Sequence, residues 1–411
     1  MKQNKRVIFL LLILVMILCA YTNVFSAGRG AFAGDSVGAR PSVFGESFVA
    51  LADDANAIRW NPAGLANLLQ PEFTSSHINF FSMGGYVDYS NSGSINEDFI
   101  GFAIPNHIAP VGISFLNLGT SGMPIADENG AIIDSFGNYS ERTFTVSAGK
   151  RFRFGKLGLL SGLCLNRYSV GGASDSSGFG MDGGLLLETP GILPKIGIMM
   201  SGFFMDTTLG DNGLTIPAKT DLAISFSPSR SFRLMSGLGK TSGDSLAQYS
   251  AGLEYVFHQI SPLHISLMAG YKTLGKLNNQ NFESSASSWA TGASMRISRY
   301  KIDYSYEQHS LLGHTHRISV SIFKDSLEDF HLNKGRRAFE QLDDNSAIRE
   351  LDNAIYLAPR VQAYHTLALT YERMRDREKA IQALQKIQSL NYDYFIEQKL
   401  DQLIKDIQEQ E

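Results

Sequence analysis

From Glu72 to Phe323 apolar and polar residues alternate with a period of two, and this constrains the fold more than any other feature of the chain. In "KIDYSYEQ", Ile302, Tyr304 and Tyr306 fall on one face and Lys301, Asp303, Ser305 and Glu307 on the other. "DLAISF" sets Leu222, Ile224 and Phe226 against Asp221, Ala223 and Ser225. "TFTVSA" sets Phe144, Val146 and Ala148 against Thr143, Thr145 and Ser147. "LHISLMAGY" and "HRISVSIF" follow the same rule. About fifteen such segments are separated by turn clusters such as "NSGSIN", "ADENG" and "TSGDS", and no long helical pattern interrupts them.

Many consecutive strands can satisfy their apolar faces in two ways. A soluble sandwich or propeller buries them against each other, whereas a membrane barrel turns them to lipid and keeps polar side chains inside. Three features favour the barrel. The strands form one long run without a blade-length repeat, one face is often aromatic while the other is small or charged, and the chain carries an export signal without disulfides.

The signal is read from residues 1–26. Lys2, Lys5 and Arg6 precede an apolar run from Val7 to Ala20, and Val24-Phe25-Ser26 suits a cleavage site. A spanning helix would need roughly 18–20 apolar residues, more than this run supplies. Cys19 lacks the small residues that precede a lipidated cysteine. Cleavage would remove three positive charges, taking the formal net charge from −4 to −7. It would leave Cys164 as the one cysteine, so no intramolecular disulfide could form. No basic patch points to a nucleic-acid partner.

Composition changes near Lys324. From 324 to 411, 30 of 88 residues are charged and Gly335 is the one glycine; from 27 to 323, 43 of 297 are charged and nearly all the glycines occur. The back part is therefore helix-forming.

Ahead of the first strand stands "DDANAIRWNPAGLA", preceded by the apolar run Phe48-Val49-Ala50-Leu51-Ala52. It reads as a small amphipathic helix ending in Asn61-Pro62-Ala63-Gly64, where Pro62 fixes φ and Gly64 permits a tight backbone. About eight strands fill their own barrel, and sixteen or more leave an aqueous channel. A barrel between these limits needs something to fill its lumen, and this segment is the available plug. Phe48, Val49, Leu51 and Trp60 are its expected packing residues, and Asp53 and Asp54 are expected to solvate or cap its helix.

"SFVALADDANAIRWNPAGLA" resembles the N-terminal signature of the PorV/PorQ-like proteins, within the wider superfamily of FadL-type long-chain fatty-acid transporters. "LLGHTHRISVSIF" resembles that family's closing strand, so the resemblance spans roughly residues 28–323. It departs from the family upstream, where "ARPSVFGES" stands in place of a more glycine-rich run. The resemblance implies a mainly β fold: an antiparallel outer-membrane β-barrel of about fourteen strands with an N-terminal hatch. The back part resembles tetratricopeptide repeats. Ala347, Leu351, Ala354 and Pro359 fit one repeat, Leu367, Ala368 and Tyr371 fit the first helix of the next, and Ala380 and Leu384 recur 33 residues after Ala347 and Leu351. His331 and Lys334 stand where the first repeat would have apolar residues, and Phe395, Leu400, Leu403, Ile404 and Ile407 read as one face of a capping helix. The expected organisation is a signal peptide over 1–26, a hatch over 27–71, a barrel over 72–323, a linker over 324–333 and a tetratricopeptide-like all-α domain over 334–411.

Catalytic and cofactor motifs fail on context. Gly239-Lys240-Thr241 imitates a phosphate loop, but Leu234 occupies the position of its first glycine and no helix follows. Gly178-Phe179-Gly180-Met181-Asp182-Gly183 imitates a dinucleotide fingerprint but runs into a strand-like "GLLLETPG"; its glycines better suit a thin wall beside the plug. His314 and His316 lack acidic or cysteine neighbours at ligand spacing and read as a polar strand entrance. No GxSxG marks a barrel hydrolase.

No enzyme activity, metal or cofactor is expected. The expected function is passage or binding of a hydrophobic small molecule in an outer-membrane barrel. The alternative, which the resemblance also implies, is a type IX-like secretion component or carrier that binds exported proteins. Outer-membrane lipid is an expected partner. A periplasmic or secreted protein is another, meeting the helical tail at Tyr364, Leu367 and Tyr371.

Overall fold

The computed structural model describes residues 37–82, 94–106, 108–126, 132–155, 157–171, 176–189, 193–205, 208–209, 214–229, 231–242, 247–257, 263–274, 286–310 and 313–390. The signal peptide expected over 1–26 and the capping helix with Phe395 to Ile407 lie outside these residues.

The strands are β1 (Glu72–Ser82), β2 (Ser94–Ile104), β3 (Val111–Ala126), β4 (Ile132–Phe154), β5 (Leu157–Gly171), β6 (Ser176–Glu188), β7 (Lys195–Met205), β8 (Thr208–Leu209), β9 (Leu214–Thr215), β10 (Lys219–Phe226), β11 (Phe232–Thr241), β12 (Gln248–Phe257), β13 (Leu263–Leu274), β14 (Ala286–Ile297), β15 (Tyr300–His309) and β16 (Gly313–Phe323). The short β8 and β9 pair with each other; the other fourteen close a barrel in which each strand lies beside its sequence neighbours and β1 meets β16. Closure leaves no strand edge unpaired, the condition for β-structure to cross lipid.

Period-two alternation decides which face goes where, and the result is the reverse of a soluble core. In "KIDYSYEQ", Ile302 and Tyr304 are 42% and 45% exposed, whereas Asp303 and Ser305 are 1% and 0% exposed. Asp221, Ala223 and Ser225 are buried while Ile224 is exposed, and Thr143, Thr145 and Ser147 are buried while Phe144 and Val146 are exposed. An apolar outer face and a polar inner one have a physical rationale when the outer solvent is hydrocarbon. The register shifts along the wall between β3 and β4, from Thr120 to Ala126, and between Met181 and Gly183 of β6 against β7. At the latter, Gly202 takes φ 67°, and its N–H donates to Asp182 Oδ1 at 2.8 Å.

The chain divides into two compact units, one holding most of the barrel and one made of residues 258–264, 296–301 and 323–411. The second contains α3 to α6, described here after α1 (Ala39–Phe44) and α2 (Ala57–Trp60) of the N-terminal segment. Helix α3 is Leu327–Glu340, α4 Asp344–Leu357, α5 Val361–Arg373 and α6 Arg377–Leu390. Helix α3 begins inside the stretch read as a linker over 324–333, because Ser326 caps it: its side chain accepts from Asp329 N–H, with Glu328 and Asp329 in the first turn. Leu332, Leu351, Ala354, Ala363 and Leu367 form one apolar cluster, and Ala368, Ala383, Leu384 and Ile387 another. Ala347 and Ala380, 33 positions apart, are both buried, as are Leu351 and Leu384. His331 and Lys334 converge on Glu350, whose carboxylate lies 2.8 Å from His331 Nδ1 and 2.9 Å from Lys334 Nζ. Both thus pair with one carboxylate inside the helical unit, while His331 Nε2 is buried without a hydrogen-bond partner.

Candidate functional site

The candidate site is the segment 37–68, almost every residue of which is buried. It is not the single amphipathic helix that the run Phe48 to Ala52 suggested. Helix α1 passes directly into a 3-10 turn at Gly45–Ala50, and α2 passes through Asn61 into a second 3-10 turn at Pro62–Asn67. Buried on all sides, the segment has no polar face to set a helical period. Ala52, at φ 34°, reverses the chain between its two halves.

Phe48, Val49, Leu51 and Trp60 belong to one apolar cluster with Val43, Phe44 and Ala50. The wall contributes Met199, Ala223, Met235, Met268 and Ala290 to it. Phe48 and Trp60 meet edge to face, with ring centroids 5.8 Å apart. Trp60 Nε1 donates to the Val37 carbonyl at 2.9 Å. Ala63 lies in a second cluster with Ile58, Leu65 and the wall residues Ala103, Leu160 and Leu186.

Each residue of the Asn61-Pro62-Ala63-Gly64 turn has a structural task. Asn61 accepts from Ala63 N–H at 3.1 Å, capping the second 3-10 turn, which Pro62 opens. Its Nδ2 donates to the Val49 carbonyl at 2.9 Å and to the Leu185 carbonyl of β6 at 3.2 Å, joining both halves of the segment to the wall. A Cβ on Gly64 would lie 2.1 Å from the Ala52 carbonyl oxygen, and one on Gly184 of β6 would lie 2.0 Å from Asn61 Oδ1. At Gly64 the facing backbone leaves no room for a side chain, and at Gly184 the Asn61 carboxamide occupies the place of one.

The charged residues form a network centred on Arg40. Its guanidinium meets Asp53 at 2.7 Å and Asp54 at 3.1 Å within the segment, and Glu254 of β12 at 2.9 Å across to the wall. Arg233 of β11 bridges Glu254 at 2.8 Å and Asp53 at 3.5 Å. Asp54 also accepts from Asn56 N–H at 3.0 Å at the start of α2. The aspartates therefore serve an arginine as well as a helix start. A second tie runs through Lys272 of β13, whose Nζ donates to the Ser42 carbonyl at 3.1 Å and lies 2.7 Å from Glu307, itself 2.7 Å from Arg317. Lys219 of β10 reaches Glu46 at 3.4 Å, and Cys164 Sγ donates to the Ile58 carbonyl at 3.2 Å.

Sequence reasoning missed Arg40, Glu254, Arg233, Lys272 and Glu307. The available signal was charge at inward strand positions together with Arg40 in a mostly apolar leader, because lumen charges need partners. Of the tail residues, Leu367 is spent in the helical core, while Tyr364 and Tyr371 pack half-buried against the two tail clusters. Gly239-Lys240-Thr241 lies within β11 and Gly178 to Gly183 within β6, neither opening a helix. His314 and His316 stand beside Tyr304 and Tyr306, with Tyr304 OH 2.8 Å from His316 Nδ1.

No family model and no curated protein matches the chain. Among solved structures, the toluene transporter TodX of Pseudomonas putida is 12% identical, covering 74% of this chain and 99% of its own at a TM-score of 0.45. A Pseudomonas aeruginosa FadL homologue is 13% identical, with the same coverage and a TM-score of 0.46. The toluene transporter TbuX of Ralstonia pickettii is 12% identical, covering 72% and 97% at a TM-score of 0.46.

Proposed function

We propose that the protein is a non-enzymatic outer-membrane barrel whose lumen is closed by segment 37–68 acting as a hatch, and that it passes or holds a hydrophobic small molecule. The end of the barrel where β1 begins and β16 ends faces the periplasm in this reading, with the helical tail on the same side. The observation that carries it is the seat of the hatch. Phe48 and Trp60 share one apolar cluster with Met199, Met235 and Met268, a soft and polarisable lining on which an apolar ligand can compete with apolar side chains. A ligand opens or remodels such a hatch only through differential affinity for the two states. The sequence resemblance to FadL-type transporters points the same way.

A second reading, a carrier for exported proteins, draws its support from the helical tail, whose stacked helix pairs suit peptide or helix partners. Ligand binding separates the two. The chain has two tryptophans, Trp60 in the hatch and Trp289 exposed on the outer wall. In a Trp289→Phe protein, titrating oleate should shift Trp60 emission saturably. Emission that stays constant while the barrel is folded would contradict the small-molecule reading.

A further inference from the structure

The outer wall carries a charged row at one border of its apolar band. His77 of β1, Asp98 of β2, Asn117 of β3 and Arg142 of β4 are direct cross-strand partners, in register across four strands. All belong to the outward set: Thr143, Thr145 and Ser147 of β4 are buried, whereas Arg142 and its same-face neighbours Phe144 and Val146 are exposed. Arg167 of β5, also exposed, is the register partner of Phe144, one step diagonally from Arg142.

Below the row the outward side chains are apolar. Phe102, Ile113, Phe115, Phe144, Val146 and Leu165 are all exposed. On β4 the outward face from Arg142 runs through Phe144 and Val146 past Lys150 to Phe152 and Phe154, twelve residues along; at about 3.3 Å per residue and a tilt of roughly 40°, its height is about 30 Å, the thickness of a bilayer's hydrocarbon core. Arg142 and Arg167 therefore stand where acyl chains give way to headgroups, at the end of the barrel opposite its chain exits.

The charges in the row are unevenly matched. Its one acid, Asp98, lies 2.8 Å from His77 Nδ1. Arg142 has one neutral contact there, its Nε donating to Asn117 Oδ1 at 3.4 Å. Arg167 lies over the exposed ring of Phe179, 5.8 Å from the centroid. Arg142 leans toward Asn117 of β3 and Arg167 toward Phe179 of β6, so two guanidiniums on diagonal neighbours of adjacent strands offer charge-assisted donors to a phosphate along an apolar border, one of them beside a ring that can pack against an acyl chain.

We infer that Arg142 and Arg167 form a docking site for a phosphate-bearing lipid of the outer leaflet, with its headgroup on the two guanidiniums and its chains along Phe144, Leu165 and Phe179. The inference rests on the membrane placement proposed above. Basic residues near a membrane surface attract anionic lipid, so the pair should favour an anionic over a zwitterionic lipid on the order of tenfold.

Native mass spectrometry of the full-length mature protein, released from micelles containing equal phosphatidic acid and phosphatidylcholine, tests this. The wild type should retain phosphatidic acid on the order of tenfold more often. An Arg142→Gln/Arg167→Gln variant should lose that preference, while an Arg375→Gln/Lys386→Gln variant, which loses equal charge from the tail, should keep it. Equal retention of both lipids by the wild type would overturn the inference, and so would an unchanged preference in the Arg142→Gln/Arg167→Gln variant. The wild-type comparison stands even if that variant does not fold. A wild type that stays soluble without detergent would instead overturn the membrane placement itself.

Discussion

Arg40 and Glu254, 214 residues apart in sequence, meet through two hydrogen bonds: Arg40 Nε donates to Glu254 Oε1 at 2.9 Å and Nη2 to Oε2 at 3.1 Å. The pair joins the leader to the wall in the bidentate geometry that makes arginine–carboxylate contacts strong and directional. Because Asp54 and Glu254 are both buried, removing the arginine takes from both a cation they share and leaves Glu254 to Arg233.

The first prediction follows from that asymmetry. Arg40→Met should weaken docking of segment 37–68 by about 3 kcal/mol, since breaking a buried pair is costly even where Arg233 keeps part of the charge matched. Asp53→Asn, at a side chain about a third exposed, should cost no more than about 1 kcal/mol. Hydrogen exchange reads both. Amides 39–60 should exchange much faster in Arg40→Met while strand amides stay protected, and Asp53→Asn should resemble the wild type. Equal protection in all three proteins would show that Arg40 does not hold the segment.

The second concerns the wall beneath Asn61. A Cβ at Gly184 meets Asn61 Oδ1 at 2.0 Å, whereas one at Gly119 meets nothing closer than 3.7 Å. Gly184→Ala should cost about 1–3 kcal/mol through overpacking and should raise exchange around Asn61. Gly119→Ala should leave that region unchanged. Equal effects of the two substitutions would contradict the close approach.

The third concerns pH and the helical tail. Burial pushes the His331 imidazole below its ordinary value, against the raising effect of Glu350. Burial pushes the Glu350 carboxyl up, but the His331 hydrogen bond and the Lys334 charge together hold it below the carboxylate range. The unfolded chain therefore binds more protons at both sites in acid, and stability falls as pH is lowered. The His331 contribution should be lost as pH drops below its ordinary 6.5, and that of Glu350 as pH drops below 4.5. Thermal melts followed by helical circular dichroism should show tail stability declining from pH 7.5 to pH 5.5, a range set by the ordinary histidine value of about 6.5. His331→Asn, which keeps a donor for Glu350, should flatten that decline. The same decline in the variant would assign it elsewhere.

Much of the barrel was legible because its rule is local. "KIDYSYEQ" declares two faces whatever its neighbours are, and its apolar face is the exposed one. The direction of the faces needed the further fact of many strands without disulfides. "NPAG" was legible for a similar reason: Pro62 and Gly64 each restrict the backbone locally, and the turn forms where they stand. What stayed hidden was relational. Nothing near Arg40 names Glu254, and nothing near Asn61 names Gly184, since strand order and register bring them together. The run Phe48 to Ala52 misled for another reason. The run itself is apolar throughout and enclosed, so its spacing carries no record of whether it coils as an α-helix or a 3-10 turn. Leu367 shows the same limit in the tail, where a residue suited to a partner surface is consumed by the packing of its own helices.

Ion conductance tests the plugged barrel most directly. The mature protein and a variant lacking residues 38–66 would each be reconstituted in planar bilayers, with heat-modifiable mobility confirming that both are folded. A lumen closed by the segment gives low, intermittent conductance in the intact protein and a large, steady conductance after deletion. Equal conductance in the two folded samples would contradict the account.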